Sequence, residues 1–173
     1  MRQLEHHEIQ NHPHGLPLAL LCPDWRDPRN VGAAFRLADA AGLAELILTG
    51  STPRPPNAKM DKTARSTVRN VNWTAAADAA ALLRERRANG ALVLALEVTD
   101  DSTSILDFSF PGGRAGAGEV ILVAGSEVAG VPAELLAECQ AAVHLPMFGR
   151  NTSLNVVVAC GVGVYGLLAR MLP

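Results

Sequence analysis

The sequence predicts an α/β fold of one domain, a mostly parallel sheet with helices on both faces. Three observations lead there. Five short runs (Leu18–Cys22, Glu45–Thr49, Leu92–Glu97, Val120–Ala124 and Ala142–Leu145) are mostly apolar throughout rather than alternating, the pattern of strands covered on both sides. Segments of helical pattern lie between them, and strands alternating with helices give a parallel sheet. The chain has 173 residues, of which 49% are hydrophobic and 18% charged. That length is ordinary for a single domain, which buries about 70% of its unfolded surface.

The elements follow in chain order. Residues 1–15 read as a flexible, solvated tail, with the domain spanning 16–173. The tail carries four of the five histidines, His6, His7, His12 and His14, at spacings that match no zinc module. After the first apolar run, Val31–Ala41 has apolar residues at Val31, Ala34, Phe35, Ala38 and Ala41, and Gly42 stands as its stop. Asn30 is the N-cap candidate. Ser51–Ala58, with three prolines, reads as a linker. Ala75–Ala88 reads as a helix whose basic tip, Arg84, Arg86 and Arg87, suits the negative end of the helix dipole. Pro111–Gly118, with four glycines, is a second linker. Pro132–Cys139 reads as a short helix and Ser153–Met171 as a long closing one.

Composition excludes several classes. The longest apolar stretch, Val156–Leu168, has 13 residues against the roughly 20 of a membrane span. The polar N-terminus has no signal-peptide core. Three cysteines without a C-x-x-C pattern support neither a disulfide framework nor a zinc site, so the expected setting is the cytoplasm, with no membrane and no metal. A net charge of −2 and 4% aromatic residues leave little for a base-stacking platform. Local basic patches remain open.

Four segments carry possible chemistry. Gly161, Gly163 and Gly166 satisfy G-x-G-x-x-G, but inside an apolar helix and without the acid that a dinucleotide site needs about 20 residues later. They read instead as small residues admitting another helix. Asp27–Arg36 follows the first strand, where ligands of α/β sheets gather. There Gly32 and Arg36 share a helix face, leaving space beside a cation able to grip phosphate. The alternative pairs Arg36 with Asp39 on a solvated face. Gly125–Gly130 follows the fourth run. Its glycines permit close approach of a ligand, and Glu127 orients a neighbouring loop, accepts hydrogen bonds from a ligand, or is a surface carboxylate in a turn. Leu145–Asn155 ends a strand and starts the last helix, with Ser153 or a neighbour as cap and backbone amides suited to a polar ligand group.

Together, N-V-G-A-A-F-R, V-A-G-S-E-V-A-G and L-P-M-F-G-R-N-T-S-L-N-V resemble, in order and spacing, the three motifs of the SpoU (TrmH) RNA 2′-O-ribose methyltransferases. The resemblance runs from Leu18 to the C-terminus. Val157 departs from the serine usual after S-L-N-V. The resemblance implies a C-terminal trefoil knot of the SPOUT kind, S-adenosyl-L-methionine as methyl donor, RNA (tRNA or rRNA) as substrate, and a homodimer. Carried over by motif, Asn30, Arg36, Glu127, Ser153 and Asn155 form the catalytic set. Leu96, Gly125, Leu145, Met147, Ser153 and Leu154 lie against the donor.

The residue types suit that chemistry. A hydroxyl attacks a sulfonium methyl, so the work is alignment and removal of one proton, without a metal. Because a free guanidine is costly to generate, Arg36 is expected to orient the hydroxyl and a phosphate rather than act as base. Arg54, Lys59, Lys62, Arg65 and Arg69, with Arg26 and Arg29, form a candidate RNA-facing patch. The glycine face of the last helix is expected in the dimer interface. The rival reading is a nucleotide-binding module or an inactive RNA-binding one.

Overall fold

A computed structural model describes residues 1–11, 13, 15–111 and 118–172. Seven strands, β1 (Leu18–Pro23), β2 (Glu45–Thr49), β3 (Trp73–Ala76), β4 (Leu92–Leu96), β5 (Thr103–Ser104), β6 (Val120–Ala124) and β7 (Ala141–His144), form one sheet in the order β3-β2-β1-β6-β4-β7-β5. Every pairing is parallel, and Leu20 stands level with Leu46 on one side and Leu122 on the other. The helices are α1 (Pro28–Ala41), α2 (Ala58–Ala64), α3 (Ala79–Ala88), α4 (Ala133–Leu136) and α5 (Val156–Met171).

The apolar runs are explained by burial on both faces. Leu18, Leu20, Cys22, Leu46, Leu48, Leu94 and Leu122 point to one core with α1, α2 and α5. Their neighbours Ala19, Leu21, Ile47, Val93, Ala95, Ile121 and Val123 point to another core under α3 and α4. A strand alternates its side chains, so two apolar faces require a continuous apolar run.

All five runs are strands, and the structure adds two more. β3 is a short edge strand whose Ala75 and Ala76 read in sequence as helix; α3 starts later, at Ala79, where Asp78 accepts the N–H of Ala81. β5 has only two residues, too few for any period. The expected linker runs into α2, whose start is fixed by Asn57 accepting from the N–H groups of Lys59 and Met60. α1 is capped by Asp27 rather than Asn30, because the Asp27 side chain accepts the Arg29 N–H and Pro28 fits the first helical position. Gly42 ends α1 in the left-handed conformation, as expected. The last helix starts at Val156, not Ser153, with Asn155 as cap. In the tail, His6–Glu8 form a single 3-10 turn. His12, His14 and residues 112–117 of the second expected linker lie outside the described residues.

Two of the three glycines of α5, Gly163 and Gly166, lie close against side chains of the chain's own sheet and the residue after β5, whereas Gly161 meets nothing within 4 Å. A Cβ on Gly163 would lie 3.3 Å from side-chain atoms of Leu96 and Leu122, and one on Gly166 would lie 2.8 Å from Ile105. The row of α5 open to solvent is Val158, Val162 and Tyr165.

Candidate active site

A cleft of about 550 Å³ opens at the carboxyl ends of β4, β6 and β7, where parallel sheets place their ligands. Leu96, Gly125, Leu145, Met147, Ser153 and Leu154, the six expected donor contacts, all line it. Glu127 and Asn155 reach it as well, whereas Asn30 and Arg36 do not. Its walls are aliphatic at Leu96, Leu145 and Leu154 and polar at Ser126, Thr152 and Ser153. Sequence reading passed over His144 and Glu97. His144 lines the cleft and lies 3.0 Å through Nδ1 from the Ser102 hydroxyl.

The Gly125–Gly130 turn shows why that segment needs glycine. Ser126 and Gly130 exchange backbone hydrogen bonds of 3.0 and 3.1 Å, folding the turn back on itself. A Cβ on Gly125 would fall 1.9 Å from the Gly130 carbonyl carbon. The close approach is thus made by the chain, not by a ligand. Glu97, directly after β4, accepts from the N–H of Val98 at 2.9 Å and of Val131 at 3.0 Å, pinning the far end of the turn to β4. The signal for it was an acid terminating an apolar run at a strand's carboxyl end.

Three motifs meet in one hydrogen-bonded chain. Asn155 Nδ2 donates to Asn30 Oδ1 at 3.2 Å, and Asn30 Nδ2 donates to Glu127 at 2.7 Å. Glu127 also accepts the backbone N–H groups of Arg26 at 3.1 Å and Asp27 at 3.4 Å. Glu127 therefore orients the loop after β1, the first of its sequence readings. Burial pushes its pKa up, but the bonds from Asn30 and the backbone amides outweigh this and hold the carboxyl below its ordinary value. Trp25 anchors the same loop from beneath; it is fully buried and its indole N–H donates to the Ala124 carbonyl at 2.8 Å. At the start of α5, Asn155 Oδ1 takes the N–H groups of Val157 and Val158. Those amides are satisfied within the chain and are not offered to a ligand. The Ser153 hydroxyl has no hydrogen-bond partner among the described residues, so it caps nothing.

The space beside Gly32 is filled. A Cβ there would lie 2.5 Å from the Met60 carbonyl oxygen, so the glycine lets α2 pack on α1 rather than admitting a substrate. Arg36 is exposed, and among the described residues it has neither hydrogen bond nor ion pair; the alternative pairing with Asp39 does not form. Among the described residues no group of three or more His, Cys, Asp or Glu side chains is arranged to hold a metal, and no helix is long and apolar enough to cross a membrane.

A parallel sheet with helices on both faces, and a cleft at three strand ends closed by a cross-linked turn and loop, defines an α/β ligand-binding domain. Residues 17–165 match the model of the SpoU rRNA Methylase family, and the chain belongs to that family. It is 30% identical over 167 residues to the 23S rRNA (guanosine-2'-O-)-methyltransferase RlmB of Pseudomonas aeruginosa, covering 96% of this chain and 64% of that one. The chain spans about three fifths of the length of the curated relatives it matches. It is also similar to the AdoMet-bound rRNA methyltransferase of Sinorhizobium meliloti, with a TM-score of 0.81, 29% identity, and coverage of 94% of this chain and 60% of that one. A structure concerned with the 2-OH methylation of C/U34 on tRNA is similar over 90% of this chain and 95% of its own length, with a TM-score of 0.74 and 28% identity.

Proposed function

We propose that this chain transfers a methyl group from S-adenosyl-L-methionine to a ribose 2′-hydroxyl of RNA, in tRNA or rRNA, as a cytoplasmic homodimer. The observation that carries the reading is the Asn155–Asn30–Glu127 chain, which joins the three motif segments at the mouth of the cleft. A volume of about 550 Å³ with aliphatic walls and backbone edges suits an adenosine bearing a methionine chain. When bound, that donor supplies an electrophilic methyl on a cationic sulfur. Leu96, Gly125, Leu145, Met147, Ser153 and Leu154 are the residues that would hold it. Leu96, Leu145 and Leu154 would set an aliphatic wall beside that cationic sulfur, which suits a centre whose charge is lost in the reaction better than a strong anion would.

The remaining residues divide the other tasks. Asn30, Glu127 and Asn155 fix the loop after β1 against the cleft, and so the position of the incoming ribose. The unpaired Ser153 hydroxyl is available to hydrogen-bond at the reaction centre. Arg36, without a hydrogen-bond or ion-pair partner among the described residues, orients the attacking hydroxyl and a neighbouring phosphate; the proton leaves through that phosphate or water, since a guanidine base is costly to generate. Neither Asn30 nor Arg36 lines the cleft of its own subunit, which supports a site completed by two subunits. The exposed row Val158, Val162 and Tyr165 is the surface of α5 open to such a partner. The return of α5 onto β4 and β6, after a loop leaving β7 beyond them, supports the trefoil knot.

Isothermal titration with S-adenosyl-L-methionine, followed by transfer of labelled methyl to ribosomal and transfer RNA, tests the reading. Binding together with label on ribose 2′-oxygen is the expected result. Binding without transfer to any RNA points to the inactive module, and absence of binding removes the methyltransferase reading.

A further inference from the structure

Beside the cleft lies a second hollow, of about 600 Å³, lined by Arg26, Asp27, Pro28, Arg29 and Lys59. It is built by the first turns of α1 and α2. Three of its five residues are cations and one is a carboxylate, so the lining carries an excess of two positive charges in a chain whose net charge is −2. Arg29 is braced by Asp27: its Nε lies 3.0 Å from both carboxylate oxygens and its Nη2 donates to Oδ2 at 2.6 Å. This fixes the guanidinium plane and leaves the Nη1 donors free. The side chains of Arg26 and Lys59 have no hydrogen-bond or ion-pair partner among the described residues.

The hollow and the cleft back onto the same loop. Glu127, in the cleft wall, holds the backbone amides of Arg26 and Asp27, whose side chains line the hollow. One rigid segment therefore fixes the distance between the two. We propose that the hollow takes a backbone phosphate of the RNA strand whose ribose reacts at the cleft; this rests on the methyltransferase reading above. A braced planar guanidinium beside an ammonium and a second arginine, both without partners among the described residues, matches a phosphate diester. The lining has no aromatic ring and no amide side chain to read a base edge, so the contact sets position rather than sequence.

The test measures binding of a mixed-sequence single-stranded oligoribonucleotide by fluorescence anisotropy across a series of salt concentrations. The proteins are the unmodified chain, Lys59→Ala, Arg26→Ala, the double variant, and Arg84→Ala at the opposite end of the sheet. Donor affinity is titrated on the same preparations. Each substitution in the hollow should flatten the slope of log affinity against log salt by about 0.7. The pair should do so by roughly twice that. Donor affinity should be unchanged, and Arg84→Ala should retain the full slope. A double variant with the unmodified slope overturns the hollow while leaving the methyltransferase reading intact. Binding of inorganic phosphate that is lost in the double variant, with the RNA slope unmoved, makes this a free-anion site and also overturns the proposal. An unmodified chain that binds neither oligoribonucleotide nor donor removes both together.

Discussion

The two ends of the sheet use charge in opposite ways. At the amino ends of the strands, carboxylates meet arginines. Arg86 bridges Glu45 at 2.9 Å and Glu119 at 2.5 Å, and Arg84 and Arg87 both reach Glu138. At the carboxyl ends only Asp27 pairs with an arginine, Arg29, at 2.6 Å among the described residues, while Glu97 and Glu127 accept N–H groups of backbone and amide side chains, and Asp24 accepts the N–H and hydroxyl of Ser51. Among the described residues the Arg26 and Lys59 side chains there have no ion-pair partner. Arginine pairs tie helices to strands and stabilise the fold. Anions held by neutral donors shape loops without consuming the cations a phosphate ligand needs. The same sheet thus has one end organised for stability and one for binding, and substitutions should separate the two.

The largest effect is expected at Arg36, which no internal partner explains. Arg36→Ala should lower methyl transfer by at least about 10²-fold, since misplacing a reacting group by about 1 Å has that consequence. Donor affinity should stay near the unmodified value. Arg36→Lys should also fail, because an ammonium cannot replace a planar fork. Transfer assays and donor titration on one preparation decide it, and normal transfer by the Ala variant would remove Arg36 from the site.

Next comes Gly125→Val. Its Cβ meets the Gly130 carbonyl carbon, so the turn must open, at about 1–3 kcal/mol for overpacking. Donor binding should fall together with stability. A variant that melts early yet binds the donor normally would show that the turn does not shape the cleft.

Glu127 gives a smaller, pH-dependent effect. Its pKa is lower folded than the ordinary 4.5, so its contribution is present above that value. It should be lost as pH falls from there through the folded pKa. Glu127→Gln should remove this acid-side sensitivity and loosen the loop at Asn30. Chemical-shift changes of the Arg26 and Asp27 amides during an acid titration would follow it. Amides that move identically in the Gln variant would assign the sensitivity elsewhere.

Sequence made the sheet's interior legible because its strands are buried on both faces, which leaves unbroken apolar runs. Edge strands escaped: β3 is half solvated and alanine-rich, and β5 is too short for a period. α2 escaped because only Met60 and Ala64 are buried in it, so it shows little amphipathic stripe. The site was legible as motifs but not as contacts. Spacing brought Gly32 and Arg36 onto one helix face, yet could not show that α2 occupies the space beside Gly32. Nor could it show that Glu127, Asn30 and Asn155, separated by up to 125 positions, join end to end. Such pairings depend on which strands become neighbours, which local pattern does not encode. Glu97 was within reach as an acid closing an apolar run, but its partner amide lies 34 residues away.

The amino end supplies the smallest effects on transfer and donor binding, and its effects on stability grade by burial. Arg86→Ala strips a cation from Glu45, whose side chain is 10% exposed and retains, among the described residues, only the Thr74 hydroxyl at 2.7 Å. Leaving a buried acceptor short of donors costs about 1–3 kcal/mol. Arg84→Ala should do far less. The Arg84 side chain is 61% exposed, its bond to Glu138 is long at 3.5 Å, and Glu138 keeps Arg87 at 3.1 Å. Exposed pairs of this kind contribute about 0–0.5 kcal/mol, which for a domain of this size is a Tm change of about 1–2 °C at most. Added salt should erase even that difference, since screening acts on exposed pairs first. Melting curves of both variants at low and high salt separate the cases: Arg86→Ala should stay destabilised, and Arg84→Ala should merge with the unmodified protein. Donor affinity at the far end of the sheet should be unaltered in both. An Arg84→Ala protein that loses donor binding without losing stability would mean the two ends are coupled through α4 and β7, and the division of charge between them would not hold.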